Sequence, residues 1–361
     1  MHPFDLNHIL GANMITASAP CRIDMGGTLD IGTFHYPLRR FRPITVNLAI
    51  RLRTTITLAS HTPGRIKVSS RGFDSVDIDT DHVPFDHPLG LIFAVISYFG
   101  FHGIHVRIDS ASPPKSGLGG SSVAAVALIA ALARLEEIQG KKPLTRSQIC
   151  LLAHAIEAGV AMVPCGYQDQ LAAAYGGINA WEWRTSGRLP FYRRVVVKKR
   201  SHQWFQAHLL LAYSGVPHVS SDINGKWIRQ FLSGKYRDEW KMIARHTRRF
   251  SQALVEGDIL AAGEAMNAEV DIRRQLTPEV LDEMGIQLVS AAKDTGCGAR
   301  FTGAGGGGCL WAIGDVEQIN ILKDRWKELL STRPDAGLLD HCIDHKGVQV
   351  KFRDQKCGKA E

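Results

Sequence analysis

The 361-residue chain is predicted to form a mixed α/β protein in two closely packed parts. Three observations carry this expectation. Up to about residue 200, short runs of alternating and β-branched residues dominate. Beyond that point four long helical patterns follow one another. No flexible linker separates the two parts, so 1–200 and 201–361 are expected to be domains that pack together.

The elements follow in order. A short segment, Ile15–Ala19, leads into A-P-C-R-I-D-M-G-G-T-L-D-I, residues 19–31, where Gly26 and Gly27 make a tight turn flanked by Arg22, Asp24 and Asp30. Thr45–Ile50, Leu52–Leu58, Arg65–Ser70 and Ser75–Ile78 read as strands, and Leu89–Phe99 as a helix. The strand His105–Asp109 runs into P-P-K-S-G-L-G-G-S-S-V-A-A, Pro113–Ala125. The apolar run Val123–Ala133 behind it has no Gly or Pro and reads as a helix. Arg146–Glu157 is a helix by its apolar spacing, and Leu171–Ala174 is helical until Gly176 and Gly177. Ile178–Trp183, Arg193–Val197 and His208–Tyr213 are strands. Asp222–Leu232, Lys235–Glu256, Ile259–Gln275 and Pro278–Thr295 are the four helices. Phe301 and Cys309–Ile313 are extended on either side of a glycine cluster, and a helix at Val316–Ser331 and a strand at Gly347–Lys351 close the chain.

Hydrophobic residues make up 45% of the chain and charged residues 22%, enough apolar material for a sizeable core. The formal charge of +8 admits nucleic acid, a membrane surface or an anionic small molecule as partner. The basic groups Arg39–Arg42, Arg193–Arg200 and Arg245–Arg249 are too short for a nucleic-acid tail, and no aromatic binding signature accompanies them. They read as solvated surface with a bias toward phosphorylated ligands; neither nucleic acid nor membrane is expected as a partner. The seven cysteines (Cys21, Cys150, Cys165, Cys297, Cys309, Cys342 and Cys357) form no C-x-x-C pair, which fits a reducing compartment. The spacing of His341, Cys342, His345 and Cys357 matches no common zinc pattern. The first ten residues lack the basic and apolar regions of a signal peptide, and the longest apolar run is too short for a bilayer, so a cytoplasmic location is expected.

The loop at Pro113–Ala125 carries the first chemical signal. Gly/Ser backbone feeding a helix N-terminus turns several N–H groups toward one anion, and the helix dipole adds to the attraction. Ser121 and Ser122 are expected to cap the helix, with one hydroxyl free to face a metal. The competing reading is a tight turn with no ligand.

Together with the Arg/Asp turn at 19–31 and the glycine cluster at 303–308, this loop resembles the GHMP kinase superfamily over almost the whole chain. Pro114-Lys115-Ser116-Gly117-Leu118-Gly119-Gly120-Ser121-Ser122 is similar to the family's phosphate loop, Ala19-Pro20-Cys21-Arg22 to its first motif, and Thr302-Gly303-Ala304-Gly305-Gly306-Gly307-Gly308-Cys309 to its third. Glu157 and Val163–Gln170 resemble the sugar-kinase branch: galactokinase and the heptose- and fucose-type kinases. The resemblance implies a two-domain α/β (α+β) fold, with an N-terminal ribosomal-protein-like β-α-β domain that binds ATP and a C-terminal ferredoxin-like domain.

It also implies an ATP- and Mg2+-dependent kinase acting on a sugar or sugar phosphate, at the anomeric hydroxyl in the heptose/fucose branch. Asp169 is then the catalytic base and Arg22 its electrostatic partner. Residues Pro114 to Ser122 bind ATP. Glu157 with Ser121 or Ser122 holds magnesium. Asp30 contacts the sugar, with Asp24 as the alternative because the Arg22-to-Asp30 spacing is one residue short of the family pattern. Gly166, Gly305 and Gly306 bring backbone close to the substrate. Arg300 stands where many relatives carry lysine, Lys115 suits a phosphorylated acceptor, and Ser214–Val216 with Ser220 and Ser221 border the acceptor. The alternatives are a non-catalytic sugar/ATP sensor and an isoprenoid-pathway kinase of the same fold. A monomer and a homodimer are both compatible with the sequence.

Overall fold

The computed structural model describes residues 9–11, 13–72, 74–161, 164–185, 187–217 and 220–354. Val163 and Cys357, and the side chains of Ser220 and Ser221, lie outside the described residues.

The fold is a mixed α/β arrangement of two sheets with their helices. The first comprises β1 (Asn13–Gly26), β2 (Ile44–Ser60), β3 (Arg65–Ser70), β4 (Val76–Asp79), β5 (Ile104–Ser110), β6 (Ile178–Trp183) and β7 (Phe191–Val197). The second comprises β8 (Leu209–Tyr213), β9 (Gly298–Phe301), β10 (Cys309–Ile313) and β11 (Gly337–Leu338). The last strand, β12 (Gln349–Asp354), returns to the first sheet and pairs antiparallel with β1. The first sheet runs β12-β1-β2-β5-β3-β4, with β6 on the early half of β2 and β7 beside it; the second runs β11-β8-β10-β9. Among the described residues only β3 and β5 pair in parallel. The return of β12 carries the C-terminal segment back across the division expected at residue 200.

Two strands are longer than the sequence predicts. Ile15–Ala19 is part of the 14-residue β1, and Thr45–Ile50 and Leu52–Leu58 are one 17-residue β2. The reason is a bulge. Pro20 lies opposite Arg53, but Cys21 lies opposite Ile50, so Arg51 and Leu52 are left out of the ladder. A bulge bends a strand without ending it, and it sits beside a proline that cannot donate.

Thirteen of the nineteen residues of the Gly120–Ile138 helix are buried, so its apolar composition reflects burial on several sides rather than one face. Two further departures concern helices. The predicted helix Pro278–Thr295 is a single 3-10 turn, Pro278–Val280, followed by a helix at Glu283–Asp294. The break falls at Asp282, whose carboxylate accepts from the Gly285 N–H at 2.8 Å as an N-cap. A short helix at Gly32–His35, which has no periodic signal, follows the Arg/Asp turn.

The two sheets are joined by a buried charge cluster. Arg300 on β9 contacts Glu269 at 2.8 Å and Asp24 on β1 at 3.3 Å, and Glu269 also pairs with Arg273 at 3.1 Å. All four side chains are fully buried. Arg273 lies over the rings of Trp227 and Trp240, 4.2 and 4.8 Å from their centroids. Two cations and two anions balance here, so removing one leaves a buried charge without a counter-ion. Arg300→Met is expected to cost about 3–5 kcal/mol, measured as the loss of unfolding free energy in urea. A loss below about 1 kcal/mol would mean that the cluster relaxes or hydrates instead.

Candidate active site

The phosphate-loop candidate begins where β5 ends and delivers the chain into the Gly120–Ile138 helix. Gly119 is the N-cap, with φ of 79°, and makes no side-chain cap bond. The expectation that Ser121 and Ser122 cap this helix is therefore corrected: both lie inside its first turn. A side chain at Gly119 would meet the Asp169 carboxylate at 2.9 Å, so glycine there answers both the left-handed backbone and the close approach of Asp169.

Arg22 is the junction of the site. Its Nε donates to Asp169 Oδ1 at 2.7 Å, and its Nη1 donates to the Gly117 carbonyl and to Thr302 Oγ1, the latter at 3.3 Å. Its backbone N–H donates to the Leu118 carbonyl at 3.1 Å. One side chain thus ties the first motif to the phosphate loop, to the third motif and to Asp169. Burial alone would lower the Arg22 pKa; the charges of Asp169 and Asp24 outweigh it and raise the pKa, keeping the guanidinium charged. Asp169 keeps 22% of its side chain exposed. It lies in the first turn of the Gln168–Tyr175 helix.

Glu157 is buried behind the loop. Ser122 Oγ reaches its two oxygens at 2.9 and 2.7 Å, and Gln170 Nε2 donates to Oε2 at 2.6 Å. Burial pushes its pKa up to about 7, and the charge of Asp169 adds to the rise against the lowering by its hydrogen bonds. Ser121 is exposed at the same turn. Among the described residues no three His, Cys, Asp or Glu side chains converge as a ready-made metal cage. One buried carboxylate and one hydroxyl still suit a hard divalent ion that takes its remaining ligands from phosphates and water.

The predicted acceptor residues separate clearly. Asp30 is 2% exposed; its Oδ2 accepts from the Gln168 N–H at 3.1 Å and its Oδ1 has no partner. Burial, with added repulsion from Asp24 and Asp169, pushes its pKa up to about 7. A side chain at Gly166 would fall 1.8 Å from Asp30 Oδ2, which explains that glycine by close approach. Asp24, the alternative, is corrected: its Oδ1 accepts from the Gly26 N–H at 3.1 Å, and its Oδ2 accepts from Thr28 Oγ1 at 2.7 Å and meets Arg300. It holds the fold rather than presenting a free oxygen.

The glycine cluster divides its work. Gly305 abuts Val280 and Gly306 abuts Ile223. The groups that reach the phosphate loop are Thr302 and the Cys309 N–H, which donates to the Ser116 carbonyl at 2.9 Å. Lys115 is exposed. Sequence reasoning placed Thr302, Gln170 and Tyr167 inside motifs but gave none of them a role of its own. Thr302 carries the one hydroxyl of the Thr302–Cys309 motif. Gln170 lies thirteen residues from Glu157, and only the fold brings them together. Tyr167 stacks on His154 at 3.6 Å, next to Gly166.

Raised acid pKa values have a defined consequence. The folded ligand-free protein binds the Asp30 proton up to about pH 7, whereas the unfolded chain releases it near the ordinary carboxylate value of 3.8. Stability from this group is therefore lost as pH rises between those values. Asp30→Asn removes that slope. Relative to the wild type it should become steadily more stable from pH 4.5 to 7.5, read by urea unfolding at each pH. A difference that stays constant across that range would contradict the buried, unpaired carboxylate.

Residues 88–177 match the model described as GHMP kinases N terminal domain, and residues 250–332 that described as GHMP kinases C terminal. The mevalonate kinase of Pyrococcus abyssi is 26% identical over 336 residues, covering 85% of this chain and 91% of that protein. The D-glycero-alpha-D-manno-heptose 7-phosphate kinase of Campylobacter jejuni is 26% identical over 227 residues, covering 60% and 63%. The crystal structure of a D-glycero-D-manno-heptose 1-phosphate kinase from Bacteriodes thetaiotaomicron superposes with a TM-score of 0.70 at 15% identity, covering 93% of this chain and 98% of that one.

Proposed function

We propose, for a chain that belongs to the GHMP kinase family, that it transfers the γ-phosphate of ATP to a hydroxyl of a sugar or sugar phosphate, in the manner of the heptose- and fucose-type kinases. The observation that carries the reading is the Arg22–Asp169 pair at 2.7 Å, seated against Gly117 and Gly119 of the phosphate loop. Asp169 takes the proton of the acceptor hydroxyl as its oxygen bonds to the γ-phosphorus and the bond to the β-phosphate oxygen breaks. Arg22 holds the carboxylate in place through its 2.7 Å contact and balances charge on the transferring group. Backbone N–H groups from Gly117 to Ser122 bind the phosphates, and the left-handed turn at Gly119 aims them. Glu157 and Ser122 would hold Mg2+, which when bound neutralises phosphate charge. Asp30 Oδ1, free of protein partners, is the acceptor for a substrate hydroxyl.

A second reading, a mevalonate-like acceptor, is favoured by one observation: mevalonate kinases match 85% of the chain, whereas the heptose kinase matches 60%. Asp30 favours the sugar, because a buried carboxylate with an unpartnered oxygen suits a substrate hydroxyl. A sensor that binds both ligands without turnover has no need of a base held against the phosphate loop.

ADP release with a panel of monosaccharides, sugar phosphates and mevalonate separates the three. A sugar or sugar phosphate should give the highest kcat/KM. Asp169→Asn should lower kcat by about 10²- to 10⁴-fold while leaving the binding of a non-hydrolysable ATP analogue intact. Fastest turnover of mevalonate would overturn the sugar assignment, and ATP binding without any turnover would favour the sensor.

A further inference from the structure

Away from the phosphate loop, a pocket of about 450 Å3 opens between β2 and the segment leading into β12, lined by Arg51, Arg53, Asp344, His345, Lys346 and Gln349. None of these residues belongs to the Arg22–Asp169 cluster or to the loop. The β2 bulge builds this pocket. It leaves Arg51 and Leu52 without partners on β1, and residues 342–344 fasten onto it: the Arg51 N–H donates to the Cys342 carbonyl at 2.8 Å, and Ile50 bridges Ile343. A bulge re-aims side chains, and here two arginines two residues apart line one pocket.

The charges do not balance. Asp344 is the only carboxylate in the lining, and it is fully engaged. Its Oδ2 pairs with Arg53, and its Oδ1 accepts from the N–H groups of Lys346 and Gly347 at 2.8 and 3.2 Å. Arg53 is held besides by Ser18 and by the Gly347 carbonyl. That leaves Arg51 and Lys346, whose side chains make no hydrogen bond or ion pair among the described residues. Both lie close enough to His345, together with Lys199, to oppose its protonation in addition to burial. Asp340 is the other anion in the neighbourhood of Arg51; it is exposed, and its carboxylate accepts from the Cys342 N–H at 2.9 Å.

The same segment supports the helix that carries Asp169. The Gly177 N–H donates to the Asp344 carbonyl at 2.7 Å, and the Val348 N–H donates to the Ala174 carbonyl at 3.3 Å. A side chain at Gly347 would fall 2.3 Å from that carbonyl, so the two backbones are in direct contact at the C-terminal end of the Gln168–Tyr175 helix.

We propose that this pocket is a second anion site, taking a phosphate-bearing small molecule on Arg51, Lys346 and the already braced Arg53, and that its occupant stiffens the 344–348 segment beneath the catalytic helix. Hydrogen exchange followed by mass spectrometry on the full chain tests this, with the phosphate loop first saturated by a non-hydrolysable ATP analogue and inorganic phosphate as the probe. Phosphate should slow exchange in residues 342–349 and 172–177. In Arg51→Ala and in Lys346→Ala, which leave the ATP and acceptor residues untouched, the phosphate needed for half-maximal protection should rise by about tenfold or more. Analogue affinity should be unchanged in both. No protection by phosphate, protection confined to residues 113–122, or equal protection in the variants would overturn the proposal.

Discussion

A single buried cation sets the geometry of the site. The Arg22 guanidinium holds Asp169, the Gly117 carbonyl and Thr302 at once, and these belong to segments far apart in the sequence. A guanidinium can do this because its five donors lie in one rigid plane. Each partner is thereby fixed relative to the others. The Gly117–Ser122 loop cannot shift without disturbing Asp169, and the segment of Thr302 cannot withdraw without uncovering a buried charge. Burying such a charge is expensive unless every donor is met, which is why its neighbours include a carboxylate, a carbonyl and a hydroxyl.

The second charge cluster, two residues further along β1, explains how that arrangement survives in a chain of two sheets. Asp24 bonds to Arg300, and Arg300 to Glu269, so β1 is locked to β9 and to the Ile259–Leu276 helix. Asp24 N–H also donates to Thr302 Oγ1 at 2.9 Å, joining this cluster to Arg22. The Arg22 cluster therefore lies on the seam between the two sheets. Asp30 sits just beyond that seam, where one of its oxygens has no protein partner.

The loops were legible in the sequence because their glycines report backbone requirements directly. Gly119 and Gly166 are glycines because a side chain would strike Asp169 or Asp30, and both carboxylates were marked beside them. Strand continuity was not legible. The bulge that joins the two halves of β2 has no local signature, and the pairing of β12 with β1 spans more than three hundred residues. Nor could the sequence distinguish Asp24 from Asp30. Both follow the first motif, and only the position of Arg300, brought in from the other end of the chain, engages one and spares the other. Ser121 and Ser122 look like helix caps by residue type, but the left-handed turn at Gly119 makes that residue the cap, two positions before Ser121, and leaves the Ser122 hydroxyl to bond Glu157.

The central claim is that Arg22 and Asp169 act as one unit in phosphoryl transfer. A double-mutant cycle on kcat with the best acceptor tests it most directly, using Arg22→Met, Asp169→Asn and the two combined. If the pair is a unit, the losses are strongly non-additive, and the double variant is no slower than the slower single variant by more than about threefold. If the losses multiply, the two residues act independently, and the pairing seen between them is a contact of the fold and not of the chemistry.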